Sequence, residues 1–143
     1  MPDQDVLWEK AAEILAGGDD VRIRLTGKSM FPNIRPGDLA VITSVNFEDV
    51  IPGDIIAYAV KEKYLLHRVI SREGEWLICK GDSLKRPDPP ISHEYVIGKA
   101  VRIERGDMIR NLDDRTEKKR ALRILKYPFL YYLKAIVRLK LRV

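Results

Sequence analysis

Between residues 21 and 104 the apolar positions come in short runs rich in Val, Ile, Leu and Tyr, separated by turn residues. The runs at 21–26, 39–44, 54–61, 64–71, 75–80 and 95–104 have strand length, and the pairs Glu62-Lys63 and Glu73-Gly74 stand at hairpin distances. Arg35-Pro36-Gly37-Asp38-Leu39 is echoed by Ile51-Pro52-Gly53-Asp54-Ile55. In each, Pro presets the first corner of a turn and Gly accepts positive φ, so Asp38 and Asp54 are read as turn formers rather than reacting groups. Before this β region the period changes. Leu7, Ala11, Ile14 and Leu15 fall on one helical face, with Glu9, Lys10 and Glu13 elsewhere, and Gly17-Gly18 stops the helix. After it runs a second helical stretch, basic and amphipathic, which Pro128 should kink or divide. The pattern therefore predicts a mainly β chain in three parts: an amphipathic helix at 1–18, a β domain at 19–112 and a basic helical tail at 113–143.

A chain of 143 residues can bury one core of ordinary domain size. Its charge is uneven. The whole carries +5, yet residues 102–143 alone hold 13 Lys/Arg against 5 Asp/Glu, and from Lys118 onward there are nine basic residues and no acidic one. Interleaved with Leu122, Leu125, Tyr127, Phe129, Tyr131 and Ile136, these cations suit an anionic membrane surface, with the apolar side in the headgroup boundary. Packing on the chain's own sheet is the competing reading. A nucleic-acid partner is disfavoured, because no recognition helix or binding motif accompanies the charge. No segment reaches the roughly 20 apolar residues of a membrane span, and the first residues lack the regions of a secretory signal. A cytoplasmic or peripheral membrane location is expected. Cys79 stands alone in the apolar run Trp76-Leu77-Ile78 and reads as a buried structural thiol.

Candidate chemistry centres on Gly27-Lys28-Ser29-Met30-Phe31-Pro32 and Leu66-His67-Arg68-Val69-Ile70. A serine hydroxyl becomes a useful nucleophile only beside a base that is itself oriented. His67 can be the base, and Asp82 and Asp88 in the following Gly81-Asp82-Ser83-Leu84-Lys85-Arg86-Pro87-Asp88 are two candidate orienters. His93, beside Pro89-Pro90, reads as a loop residue, and Lys28 and Lys63 as solvated side chains.

In order and spacing these segments resemble the superfamily of signal peptidase I and LexA-type serine proteases, over about residues 21–104. Ser29-Met30-Phe31-Pro32 is similar to the family's Ser-Met-x-Pro box. In the second box His67 stands where bacterial members carry lysine, the pattern of the archaeal and endoplasmic-reticulum branch. The resemblance implies a coiled β-sheet fold, a Ser29/His67/Asp88 mechanism with no cofactor or metal, and Asp82 as acidic support. It further implies substrate contacts from Gly27, Met30, Phe31 and Pro32, with the Ser29 amide as oxyanion donor. The substrate would be a signal or leader peptide bound by strand addition. Two departures stand out: an amphipathic helix replaces the branch's membrane anchor, and Ser83-Leu84 replaces an Asn-Asn pair. A self-cleaving LexA-type regulator, cut at Ala16-Gly17, and a catalytically silent peptide-binding protein are the alternatives.

Overall fold

The computed structural model describes residues 3–127. Asp3 caps the first helix by accepting the Asp5 N–H, and α1 (Gln4–Ala16) ends where the Gly17 N–H turns back to the Glu13 and Ile14 carbonyls. Trp8, Ala11 and Leu15 are its buried residues. The buried face thus differs from the expected one: Ile14 is 46% exposed, and Leu7 only flanks the core. The Trp8 ring, stacked on Tyr64 with centroids 6.2 Å apart, carries the larger apolar area and sets the rotation of the helix.

Seven antiparallel strands follow: β1 (Val21–Arg24), β2 (Leu39–Thr43), β3 (Ile55–Val60), β4 (Lys63–Glu73), β5 (Trp76–Lys80), β6 (Val96–Arg105) and β7 (Met108–Asn111). They run β1-β2-β6-β3-β4-β5 across the sheet, and β7 pairs with the outer half of β6. Six of the seven lie on expected runs. β7 does not, because only Met108 and Ile109 of its four residues are apolar, and both stay exposed. The mainly β architecture with a helix at each end is the expected one.

Successive side chains on a strand point to opposite faces, and β3 serves a core on each. Ile55 and Ala57 join Trp8, Leu15, Met30, Ile42 and Ile103 under α1, while Ile56 and Tyr58 join Val69, Leu77, Cys79 and Ile91 on the other side. Gly37 and Gly53 take φ of 93° and 100°, and Asp38 and Asp54 close the two echoed turns by accepting the Arg35 and Ile51 N–H groups. The β3–β4 hairpin turns at Lys61-Glu62, both at positive φ, rather than at Glu62-Lys63.

The last described helix, α2 (Arg115–Lys126), buries Ile124 and rests Ala121 and Leu125 over Gly53. Glu117 fastens it to the sheet by a bidentate pair with Arg110. The expected kink at Pro128 and the rest of the basic tail lie outside the described residues.

Candidate active site

Ser29 sits on the loop between β1 and β2, whose base is closed by the Leu25 N–H to Asp38 and the Gly37 N–H to Leu25. The loop turns tightly, with Phe31 N–H donating to Lys28 and Ile34 N–H to Met30. Met30 and Ile34 therefore fall on the same side and enter the core, which anchors the serine between them and the surface. His67 lies on β4 opposite Ile56 and is 3% exposed. Asp88 lies in the loop after β5, its N–H donating to the Cys79 carbonyl.

These three elements bring Ser29, His67 and Asp88 into one line. Ser29 Oγ is 2.9 Å from His67 Nε2, and His67 Nδ1 is 2.5 Å from Asp88 Oδ2. With Nδ1–H donating to the carboxylate, Nε2 presents its lone pair to the serine hydroxyl, the tautomer that a general base needs. Asp88 is partly buried, which opposes its charge. Hydrogen bonds from His67 and Tyr58 outweigh that and hold its carboxyl below the usual range, so it stays an anion well into acid.

Tyr58 is not among the site residues expected from the sequence, yet its hydroxyl donates to Asp88 Oδ2 and lies 3.2 Å from His67 Nδ1. It is fully buried. Burial and the Asp88 carboxylate push its pKa upward, so the phenol remains a donor at any working pH. Cys79 is buried beneath the same group. Burial and the charge of Asp88 push its thiol up to about 12, which leaves it protonated and unsuited to nucleophilic work.

Asp82 goes elsewhere. Its carboxylate takes a bidentate pair from Arg68 Nε and Nη2 at 2.9 and 2.8 Å, and the Asn33 amide at 2.8 Å. Both ions are buried, at 4% and 6% side-chain exposure. The pair ties the residue after His67 to the serine loop without touching the imidazole. Gly81 is needed beside it, since a Cβ there would stand 2.7 Å from the Ser29 carbonyl oxygen.

A groove of about 210 Å³ opens beside the serine, lined by Trp8, Gly27, Ser29, Met30, Tyr64 and His67 among others. Phe31 and Pro32 are absent from its lining; Phe31 is half-buried and Pro32 buried. Next to the groove, residues 63–67 pair with β3 on one side, while the pairing of β4 with β5 reaches no further than Arg68, opposite Lys80. The second backbone edge of residues 63–67 has no strand beside it among the described residues. His93 lies in an exposed turn, edge-on to Phe47, and Lys63 is exposed in the hairpin. Among the described residues no three His, Cys, Asp or Glu side chains are grouped as a metal site requires.

A family model described as Peptidase S24-like matches residues 3–101. The match spans α1, the serine loop and β4 to β5 together, so the chain belongs to that family, within the LexA and signal peptidase superfamily. No curated protein matches the sequence.

Proposed function

We propose that this member of the Peptidase S24-like family is a serine endopeptidase that cleaves a signal or leader peptide with Ser29 as nucleophile, His67 as base and Asp88 as orienter. The observation that carries the reading is the unbroken relay from Ser29 Oγ through both nitrogens of His67 to Asp88. Ser29 attacks the scissile carbonyl as His67 takes its proton, and the imidazolium then protonates the leaving amine. The peptide lies extended along the unpaired edge of residues 63–67, adding a strand beside the groove. Histidine in place of lysine at position 67 is the feature that aligns the chain with the archaeal and endoplasmic-reticulum branch.

Self-cleavage is the less favoured mode. Ala16-Gly17 forms the last turn and cap of α1, and that turn would have to unwind before the bond could lie extended in the groove. Incubating the purified chain alone and with leader-type peptides separates the modes. Peptide cleavage with an intact chain supports the proposal. A cut at Ala16-Gly17 supports the regulator, and binding without any cleavage supports a silent peptide receptor.

The same reading places the protein at an anionic membrane surface. The described part of the basic tail supports it: Leu122 is 63% exposed and Tyr127 52%, beside exposed Lys119, Arg123 and Lys126. Among the described residues no helix is long and apolar enough to cross a membrane. Each such cation contributes about 1 kcal/mol near an anionic leaflet, so changing Lys119, Arg123 and Lys126 to Gln should weaken vesicle binding about a hundredfold. Co-sedimentation with phosphatidylserine vesicles checks this. Equal binding by the variant would assign the surface to the fold or to a protein partner.

A further inference from the structure

We infer that Ser83 is a positioning residue that aims the Ser29 backbone N–H, the donor expected to meet the oxyanion. The inference rests on the serine-peptidase reading and deepens it.

Ser83 stands where the resemblance leads one to look for asparagine, and its contacts converge on the peptide units on either side of the nucleophile. Its N–H donates to the Ser29 carbonyl at 2.9 Å. Its hydroxyl lies 3.0 Å from the Lys28 carbonyl oxygen and 2.9 Å from that of Ser29. A hydroxyl has one hydrogen. Since the Ser83 N–H already serves the Ser29 oxygen, the hydroxyl hydrogen is available to Lys28.

The consequence follows from peptide planarity. The Lys28 carbonyl and the Ser29 N–H belong to one trans peptide unit and point in opposite directions within one plane. Whatever fixes the carbonyl therefore fixes the N–H. Two donors hold that carbonyl, Ser83 Oγ–H from the β5 loop and Phe31 N–H from the serine loop itself. Hydrogen bonds in series also polarise one another, so a carbonyl that accepts makes its own N–H a stronger donor. The Ser29 N–H is given to no acceptor among the described residues, which leaves it free for a substrate oxygen.

The loop is built for this approach. Gly81 lets the chain pass the Ser29 carbonyl at a distance no Cβ would permit, and the Asp82 N–H meets the Met30 sulfur at 3.5 Å. Seven residues beyond Gly81 the same loop delivers Asp88 to His67. One segment thus sets both the donor for the oxyanion and the orienter of the base.

The test compares Ser83→Ala and Ser83→Thr with the wild-type chain on one leader-type peptide, and measures inhibition by a boronate analogue of that peptide. An oxyanion donor removed outright costs about 10² to 10³ in rate, and misaiming one should cost less, about 10- to 100-fold. Ser83→Ala should lose that factor in kcat with KM unchanged, and lose the same factor in affinity for the tetrahedral boronate adduct, because both report the oxyanion. Ser83→Thr keeps the hydroxyl and should recover most of the loss. An unchanged kcat in Ser83→Ala, a loss confined to KM, or no recovery in Ser83→Thr overturns the assignment while the peptidase reading stands. An inert wild-type chain overturns the peptidase reading, and this inference with it.

Discussion

Replacing Asp88 with asparagine should lower kcat about 10⁴-fold while leaving the protein folded. The size follows from what the carboxylate does. It accepts His67 Nδ1–H and so keeps the Nε2 lone pair on Ser29; an amide can instead donate to Nδ1 and stabilise the other tautomer, in which Nε2 carries the proton. The negative charge that would support the imidazolium is lost as well. Fold should survive, because an asparagine side chain has nearly the shape of the aspartate it replaces, and the Tyr58 hydroxyl, which meets the same Oδ2 position as His67, can accept from an amide as well as donate to a carboxylate. Steady-state kinetics together with thermal melting checks both halves. A variant retaining more than about a tenth of wild-type kcat would remove Asp88 from the mechanism.

The other aspartate should behave in the opposite way. Asp82→Ala leaves the Arg68 guanidinium buried without its bidentate partner, and breaking one side of a buried pair costs about 3–5 kcal/mol. For a domain of this size that is a large part of the total stability and should lower Tm by about 10 °C or more. The Asn33 amide also loses its acceptor, so the serine loop loosens at a second point. What remains folded should still react at Ser29, since Asp82 makes no contact with the imidazole. Denaturant unfolding of Asp82→Ala beside Asp88→Asn shows the separation: stability falls in the first and rate in the second. A stable but inactive Asp82→Ala would exchange the two roles.

How much of this was readable in the chain depends on the kind of signal. Turn chemistry was plain where Pro-Gly-Asp repeats, because ring, glycine and carboxylate each act within four residues. The β3–β4 turn was displaced by one residue because Lys61 and Glu62 take positive φ without being Gly or Asn. That shift moves the pairing by two and so leaves every side chain on its own face. Tyr58 and His67 share a face in either register, and their proximity could have been inferred from the hairpin alone. That Asp88 joins His67 is implied in the sequence by the resemblance alone, since the strand pattern says nothing of the path of the loop after β5. The helix face was misjudged at Ile14 because a moment along the chain weighs periodicity, whereas the fold weighs the area of Trp8 against Tyr64. Phe31 and Pro32 read as substrate contacts from their place in the box, and neither lines the groove beside Ser29, whose shape depends on the hydrogen bonds of the loop.

The most direct measurement of the central claim is covalent labelling of the full chain with a fluorophosphonate probe, mapped by peptide mass spectrometry. The relay from Asp88 through His67 predicts a single adduct on Ser29, no adduct in Ser29→Ala and strongly slowed labelling in His67→Ala. A folded wild-type chain that remains unlabelled at Ser29, or a His67→Ala variant labelled as fast as wild type, would contradict it.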